Sequence, residues 1–268
     1  MIRTSLALAA AVAVAATAPA AAQAQQRPDA PPPAGKIEHV VLTESFTGNY
    51  AVEGAVPRHV RTELWIAADA ARSVITDAQT GALRSEIAQT ANRLVTFDAP
   101  ANELLESTAP DIVFATQAEE GAAVKQSVAK GWLKVTGQTT YQGRAAVTLA
   151  STGTSPSDIE DARQTVIADA QTYAPLERTS SGRDGGRTFT QTQKVESTEL
   201  LDRAGNEHLL QLGDHPGARR VSAAEQQERA DAAAAKARKA REAKAAKARK
   251  AKARKAARAK AKRAAARR

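Results

Sequence analysis

Charged side chains are most concentrated at the carboxyl end of the sequence, where Lys and Arg predominate. Residues 223–268 carry 18 Lys and Arg against 4 acidic residues, a net charge of +14, while the rest of the chain carries 20 basic and 25 acidic residues, a net charge of −5. Cations at this density bind polyanions by releasing counterions, without reading a sequence. The predicted polyanion-binding residues are Lys236, Arg238, Lys239, Arg241, Lys244, Lys247, Arg249, Lys250, Lys252, Arg254, Lys255, Arg258, Lys260, Lys262 and Arg263.

Several kinds of partner fit this tail. An anionic membrane surface or envelope polymer is favoured, because each cation near an anionic membrane contributes about 1 kcal/mol. Nucleic acid fits less well, because the tail has no aromatic ring to stack on bases, and a histone-like role would need the chain to stay inside the cell. The composition also fits a structural or adhesive protein whose active part is the tail, and it fits a purely solubilising appendage.

Side chains that could catalyse a reaction or bind a metal are sparse. The chain has no Cys, which excludes disulfides, thiol catalysis and Cys-ligated zinc. The Asp-His pair within residues 213–217 predicts a turn rather than a metal site, and the acidic residues of 158–161 are typical of the first turn of a helix. We therefore expect no enzyme, no cofactor and no metal site. The four histidines, none of them in a metal-binding spacing, are His39, His59, His208 and His215.

The amino terminus has the pattern of a signal peptide. Arg3 precedes an apolar run over residues 6–16, and Ala22-Gln23-Ala24 supplies a small-x-small cleavage site. The apolar run is short for a membrane span, although an uncleaved anchor helix would also fit the pattern. The pattern predicts a secreted or cell-envelope protein, periplasmic or extracellular, cleaved near Ala24. The predicted domains are a signal peptide (1–24), a Pro-rich linker (25–35), a β domain (36–212) and the basic tail (213–268).

The predicted β domain reads as a series of short antiparallel strands. In residues 59–67 apolar and polar side chains alternate, which places Val60, Thr62, Leu64 and Ile66 on one side. Turn residues recur about every ten positions, at 79–81, 98–102 and 141–143. We expect a mainly β fold with one or two short helices, at 119–131 and near 155–164, and a basic tail that is disordered or helical.

Three stretches of this domain resemble the LolA-type lipoprotein-carrier superfamily, whose relatives include LppX-like lipid binders and RseB-like sensors. They are ELWIAADAARSVITDAQTGALRSEIAQTANRLVTFDAPANELLEST, VTGQTTYQGRAAVTLAS and VIADAQTYAPLERTSS. The resemblance implies a curved antiparallel sheet, an incomplete barrel, closed by helices over an apolar cavity. It also implies binding of lipid or lipoprotein acyl chains without catalysis.

Five residues are candidates for such a cavity. Four aromatic residues suit cavity walls and ordinary core packing equally well, because both use the same residue types. Arg72 is the positional candidate for the Arg that holds the lid in the carriers. The candidates are Trp65, Arg72, Phe97, Trp132 and Tyr141. The sequence as a whole predicts an exported envelope protein, with a LolA-like domain that binds acyl chains and a tail that tethers it to an anionic surface.

Overall fold

The computed structural model describes residues 32–48, 58–90, 92–108, 114–153, 159–184, 187–222, 224–229, 231–232 and 235. The predicted signal peptide, most of the predicted linker and every predicted polyanion-binding residue lie outside these ranges. The chain divides into two compact units, one formed by residues 6–221 and one by residues 1–5 and 222–268. In the second unit, residues 224–229 are helical. Across the ranges that are described, no helix is long and apolar enough to cross a membrane.

The first unit is built on one sheet of twelve strands, in the order β12-β6-β5-β4-β3-β2-β1-β11-β10-β9-β8-β7. The strands are β1 (Lys36–Gly48), β2 (His59–Ile66), β3 (Ala70–Asp77), β4 (Leu83–Thr90), β5 (Arg93–Asp98), β6 (Glu103–Ser107), β7 (Leu133–Tyr141), β8 (Arg144–Ser151), β9 (Glu160–Asp169), β10 (Pro175–Asp184), β11 (Arg187–Asp202) and β12 (Arg219–Val221).

Two antiparallel meanders make this sheet. Strands β1–β6 follow one another outward, and helix α1 (Gln117–Ala129) then leads to β7 at the opposite edge. Strands β7–β11 return to the centre, where β11 pairs with β1. The short β12 adds to β6 in parallel. Since β12 and β7 are the two ends of the strand order, the sheet is open, and the predicted mainly β antiparallel fold is confirmed.

Each face of the sheet carries its own core. On the first, which we call the helix face, Val124 of α1 packs against Leu133, Val147, Leu149 and Val166. On the opposite face, residues 203–218 lie against the sheet, and we call them the C-terminal segment and this side the C-terminal face. A 3-10 helix in that segment, Glu207–Leu210, buries Leu210 against a cluster of sheet residues, namely Ile37, Trp65, Ala67 and Ala70.

The turn residues lie where the sequence predicts them. Gly81 (φ 71°) lies between β3 and β4, and Asn102 (φ 51°) lies between β5 and β6. Both adopt the left-handed conformation that Gly and Asn tolerate best. Gln142 and Gly143 join β7 to β8 with positive φ at both positions, as a two-residue hairpin requires.

The helix prediction is partly right. Helix α1 begins two residues before the predicted start, because Thr116 caps it and Glu119 completes a capping box. The second predicted helix is wrong where the structure describes it, since residues 160–164 belong to β9. Pairing of this stretch with β10 outweighs the acidic pattern that favoured a helix. The sheet also extends to Val221, within the stretch assigned to the tail.

Candidate functional site

The helix face of strands β1–β5 is buried and carries apolar and polar side chains in similar numbers. Strand alternation points every second side chain of these strands to this face, and the register aligns them across the sheet. The apolar side chains that are adjacent on this face form a patch, which we call the apolar floor. Buried polar side chains lie among them, namely Glu38, Thr62, Ser73, Gln89 and Thr96. The buried apolar residues of the floor are Val40, Leu42, Val60, Ile66, Ala71, Ile75 and Ile87.

One row across this face, which we call the polar row, contains three ionisable side chains. The register aligns Asp77 of β3, Val60 of β2, Glu44 of β1, Gln193 of β11 and Arg178 of β10. The polar row therefore crosses from one half of the sheet to the other.

Asp77 and Arg178, at the two ends of the polar row, each form an ion pair. Arg84 Nη2 donates to Asp77 Oδ2 at 3.0 Å, and with the amides of Thr80 and Gln79 it lowers the pKa of Asp77 to about 2. Arg178 Nη2 donates to Glu120 Oε2 of α1 at 2.8 Å. The second pair ties the helix to the sheet.

Glu44, in the middle of the row, has no such partner. Its side chain accepts one hydrogen bond, from Gln191 Nε2 to Oε2 at 3.1 Å, and it makes no ion pair with a described residue. Glu44 is 4% exposed, and burial raises its pKa to about 7. Beside it, on the same face, Thr62 is also 4% exposed, and its Oγ1 has no hydrogen-bond partner among the described residues.

A second buried acid positions the helix. Glu38 Oε1 accepts the backbone N–H of Gln117 at 2.9 Å, which places the first residue of α1 over β1. Burial raises the pKa of Glu38, the Gln117 amide opposes that shift, and the charge of Glu119 adds to it. The acid thus supplies an acceptor for one of the free amides at the helix start.

Three of the predicted cavity residues meet on the opposite, C-terminal face. The Arg72 guanidinium lies 5.1 Å above the Trp65 ring, and its Nε donates to Glu86 Oε1 at 2.6 Å. Glu86 also accepts the backbone N–H of Gly213 at 2.7 Å and is 2.9 Å from His215 Nε2. The His215 ring stacks on Phe97 with centroids 3.6 Å apart. Trp65, Arg72 and Phe97 therefore help to hold the C-terminal segment.

The other two candidates lie apart from these three. Tyr141 is the last residue of β7, and its hydroxyl donates to Glu177 Oε2 at 3.1 Å. Burial and the Glu177 contact raise the pKa of Tyr141 to about 12. Trp132 precedes β7, with Lys130 Nζ 4.6 Å from its ring centroid. A cavity lined by all five residues stays a prediction.

Sequence reasoning missed Glu44, Thr62 and Gln191, although one signal was present. In the strand KIEHVVLTESFTG, every second residue from Glu38 to Glu44 shares one face. Glu38 and Glu44 therefore lie on the same face as the apolar Val40 and Leu42. Acids in the buried phase of a strand indicate a functional or structural role, because burial of a charge is costly. Within the described ranges, no three His, Asp or Glu side chains come together as metal ligands.

No protein-family model and no curated protein sequence matches the chain. Solved structures similar to it include MucB of Pseudomonas aeruginosa in complex with MucA, at 17% identity over 66% of this chain and 56% of that chain, with a TM-score of 0.39. This chain thus spans little more than half the length of MucB.

Two further solved structures are similar. The lipoprotein LppX of Mycobacterium tuberculosis has 13% identity over 58% of this chain and 84% of that chain, with a TM-score of 0.31. A LolA superfamily protein of Nitrosomonas europaea has 10% identity over 63% of this chain and 88% of that chain, with a TM-score of 0.29. With TM-scores below 0.5, none of these likenesses assigns a ligand to this chain. Their names do include the LolA superfamily and LppX, the two groups that the sequence resembles.

Proposed function

We propose that this protein is an exported cell-envelope protein whose β domain binds the acyl chains of a lipid or lipoprotein on its helix face. The observation that carries the proposal is the apolar floor, which spans four strands of an open sheet, β1 to β4. Each methylene of an acyl chain transferred from water to such a surface contributes about 0.8 kcal/mol. The methylenes of one acyl chain together would therefore supply the free energy of binding. Such binding needs no catalytic group.

The position of helix α1 supports this location. The helix packs its apolar side on the β7–β10 part of the helix face, through Val124 and the cluster around it. At its start, Gln117 and Glu120 reach polar partners on β1 and β10. The apolar floor of β1–β4 lies on the same face of the sheet, so a bound acyl chain would lie on the same side of the sheet as α1.

The basic tail supplies the second part of the proposal. Its net charge of +14 opposes the net −5 of the remaining chain, so the tail carries the net positive charge that attracts an anionic surface. Tethering raises the effective concentration of the β domain at that surface, which strengthens a weak encounter without new contacts. The proposed partners are thus an acylated ligand for the domain and an anionic envelope surface for the tail.

Solvent extraction and mass spectrometry of the protein purified from its own envelope test the acyl-binding proposal. We expect a lipid or acylated peptide in stoichiometric amount, both in the full chain and in a chain that lacks residues 223–268. Lipid that disappears with the tail would have been adsorbed on the cations. That result, or a folded protein without lipid, would contradict acyl binding by the β domain.

A further inference from the structure

We propose that Glu44 and Thr62 form a subsite for a primary ammonium group, so that the acyl ligand of this protein carries an amine head. This inference rests on the acyl-binding function proposed above and names the chemistry of the ligand's polar end. The subsite lies within the apolar floor of the helix face, where Glu44 is flanked by Leu42 on its own strand and by Val60 on β2.

Glu44 differs from the other ionisable residues of the polar row in its charge partners. The polar row contains three ionisable side chains, and two of them form ion pairs of 3.0 Å or less. Asp77 pairs with Arg84, and Arg178 pairs with Glu120. Glu44 is buried on the same row without a cation from any described residue. A buried carboxylate that lacks a counter-ion is costly, and a cationic ligand would supply the missing charge.

The unused hydrogen-bond acceptors of Glu44 and Thr62 favour a cation that carries N–H groups. Glu44 Oε2 accepts from Gln191 at 3.1 Å, whereas no described residue donates to Glu44 Oε1. Thr62 Oγ1 is buried without a partner among the described residues. The β1–β2 register places Thr62 two residue pairs from Glu44, which is the next position on the same face. A primary ammonium carries three N–H donors. It can therefore donate to Glu44 and to Thr62 together, as a quaternary ammonium cannot.

Burial strengthens such a contact. Charge-assisted hydrogen bonds are about twice as strong as neutral ones, and they are stronger still where water is excluded. The raised pKa of Glu44 shows that its present surroundings disfavour the carboxylate. A bound ammonium would favour it, which makes the subsite selective for a cationic donor over a hydroxyl.

Isothermal titration calorimetry with three ligands of one chain length tests the subsite on the full chain. The ligands are dodecylamine, dodecyltrimethylammonium and dodecanol, below their aggregation concentrations and at a pH where the amine is protonated. We expect dodecylamine to bind about tenfold tighter than the other two. Dodecyltrimethylammonium controls for general attraction to the acidic body, because it carries the same charge without an N–H group.

A pair of charge-matched variants locates the effect. Glu44→Gln is expected to remove the preference for dodecylamine and to leave dodecanol binding within about twofold. Glu106→Gln removes the same charge from an exposed position paired with Arg93, and we expect the preference to persist in it. Circular dichroism checks that both variants fold. If Glu44→Gln does not fold, the three-ligand comparison on the unaltered protein is decisive by itself.

The possible outcomes distinguish a failure of the ammonium subsite from a failure of the acyl-binding function. Equal affinity for all three ligands would overturn the ammonium subsite and leave acyl binding intact. Equal affinity for the two cations, or a preference that survives in Glu44→Gln, would also overturn it. Absence of binding by all three ligands would overturn both the subsite and the acyl-binding proposal.

Discussion

At the scale of single residues, Glu44 links the stability of the β domain to pH. Its ordinary pKa of 4.5 rises to about 7 in the folded protein, because burial disfavours the charged form. The folded state therefore holds the proton more tightly than the unfolded chain. Below pH 4.5 the side chain is neutral in both states and costs nothing, whereas the cost grows as the pH rises from 4.5 to 7.

Replacement of Glu44 by Gln is expected to remove that cost. The variant should be more stable than the parent protein at pH 8, by an amount on the order of 3 kcal/mol, and the difference should disappear below pH 4.5. Urea unfolding of both proteins at pH 4, 6 and 8 measures it. Glu106→Gln is the matched control and should show no gain at pH 8, because the exposed Glu106 is paired with Arg93, which lowers its pKa. An equal gain at pH 4 and pH 8 would contradict the assignment to protonation.

At the scale of elements, α1 approaches the turn between β9 and β10 through a glycine. A Cβ added at Gly121 would lie 2.6 Å from the carbonyl oxygen of Thr172 and 3.0 Å from the amide nitrogen of Ala174. Both atoms are backbone atoms, which cannot rotate away. Gly121 thus allows the helix and the turn to lie closer together than any other residue would permit.

Gly121→Ala is expected to destabilise the domain by about 1–3 kcal/mol, because the helix or the turn must move. Thermal unfolding followed by circular dichroism measures the loss. Gly137→Ala is the control, since a Cβ there would meet no atom within 4 Å. We expect that variant to be neutral or slightly stabilised, because Ala restricts the unfolded chain more than Gly does. A neutral result for Gly121→Ala would mean that the close approach carries no energy.

The elements also show what the sequence can predict. Alternation in residues 59–67 predicts the face shared by Val60, Thr62, Leu64 and Ile66, because the side-chain period of a strand is local. The Glu86–His215 contact joins residues 129 positions apart, and no local pattern signals such a pairing. The acids at the start of β9 favour a helix when only their local pattern is considered. Their pairing with β10, which the local pattern does not show, places them in the sheet.

At the scale of the whole molecule, charge is divided between the domain and the tail. Deletion of residues 223–268 removes 18 of the 38 Lys and Arg and leaves a chain of net charge −5. We expect the shortened protein to lose retention on heparin and on anionic vesicles at low salt, while the unfolding midpoint of the β domain stays unchanged. The full chain should release progressively as salt is raised. Retention that survives the deletion would contradict the tether.

The position of β12 decides where the chain can be shortened safely. Arg219–Val221 adds to the outer edge of β6, where Arg219 also pairs with Glu103, and Val221 is buried. Cleavage at residue 213, the start of the predicted basic tail, would strip this strand and the His215 contact from the sheet. The exposed edge of β6 would then be a template for pairing with other chains. A cut that removes the tail therefore leaves the twelve-stranded sheet intact only if it falls after Val221.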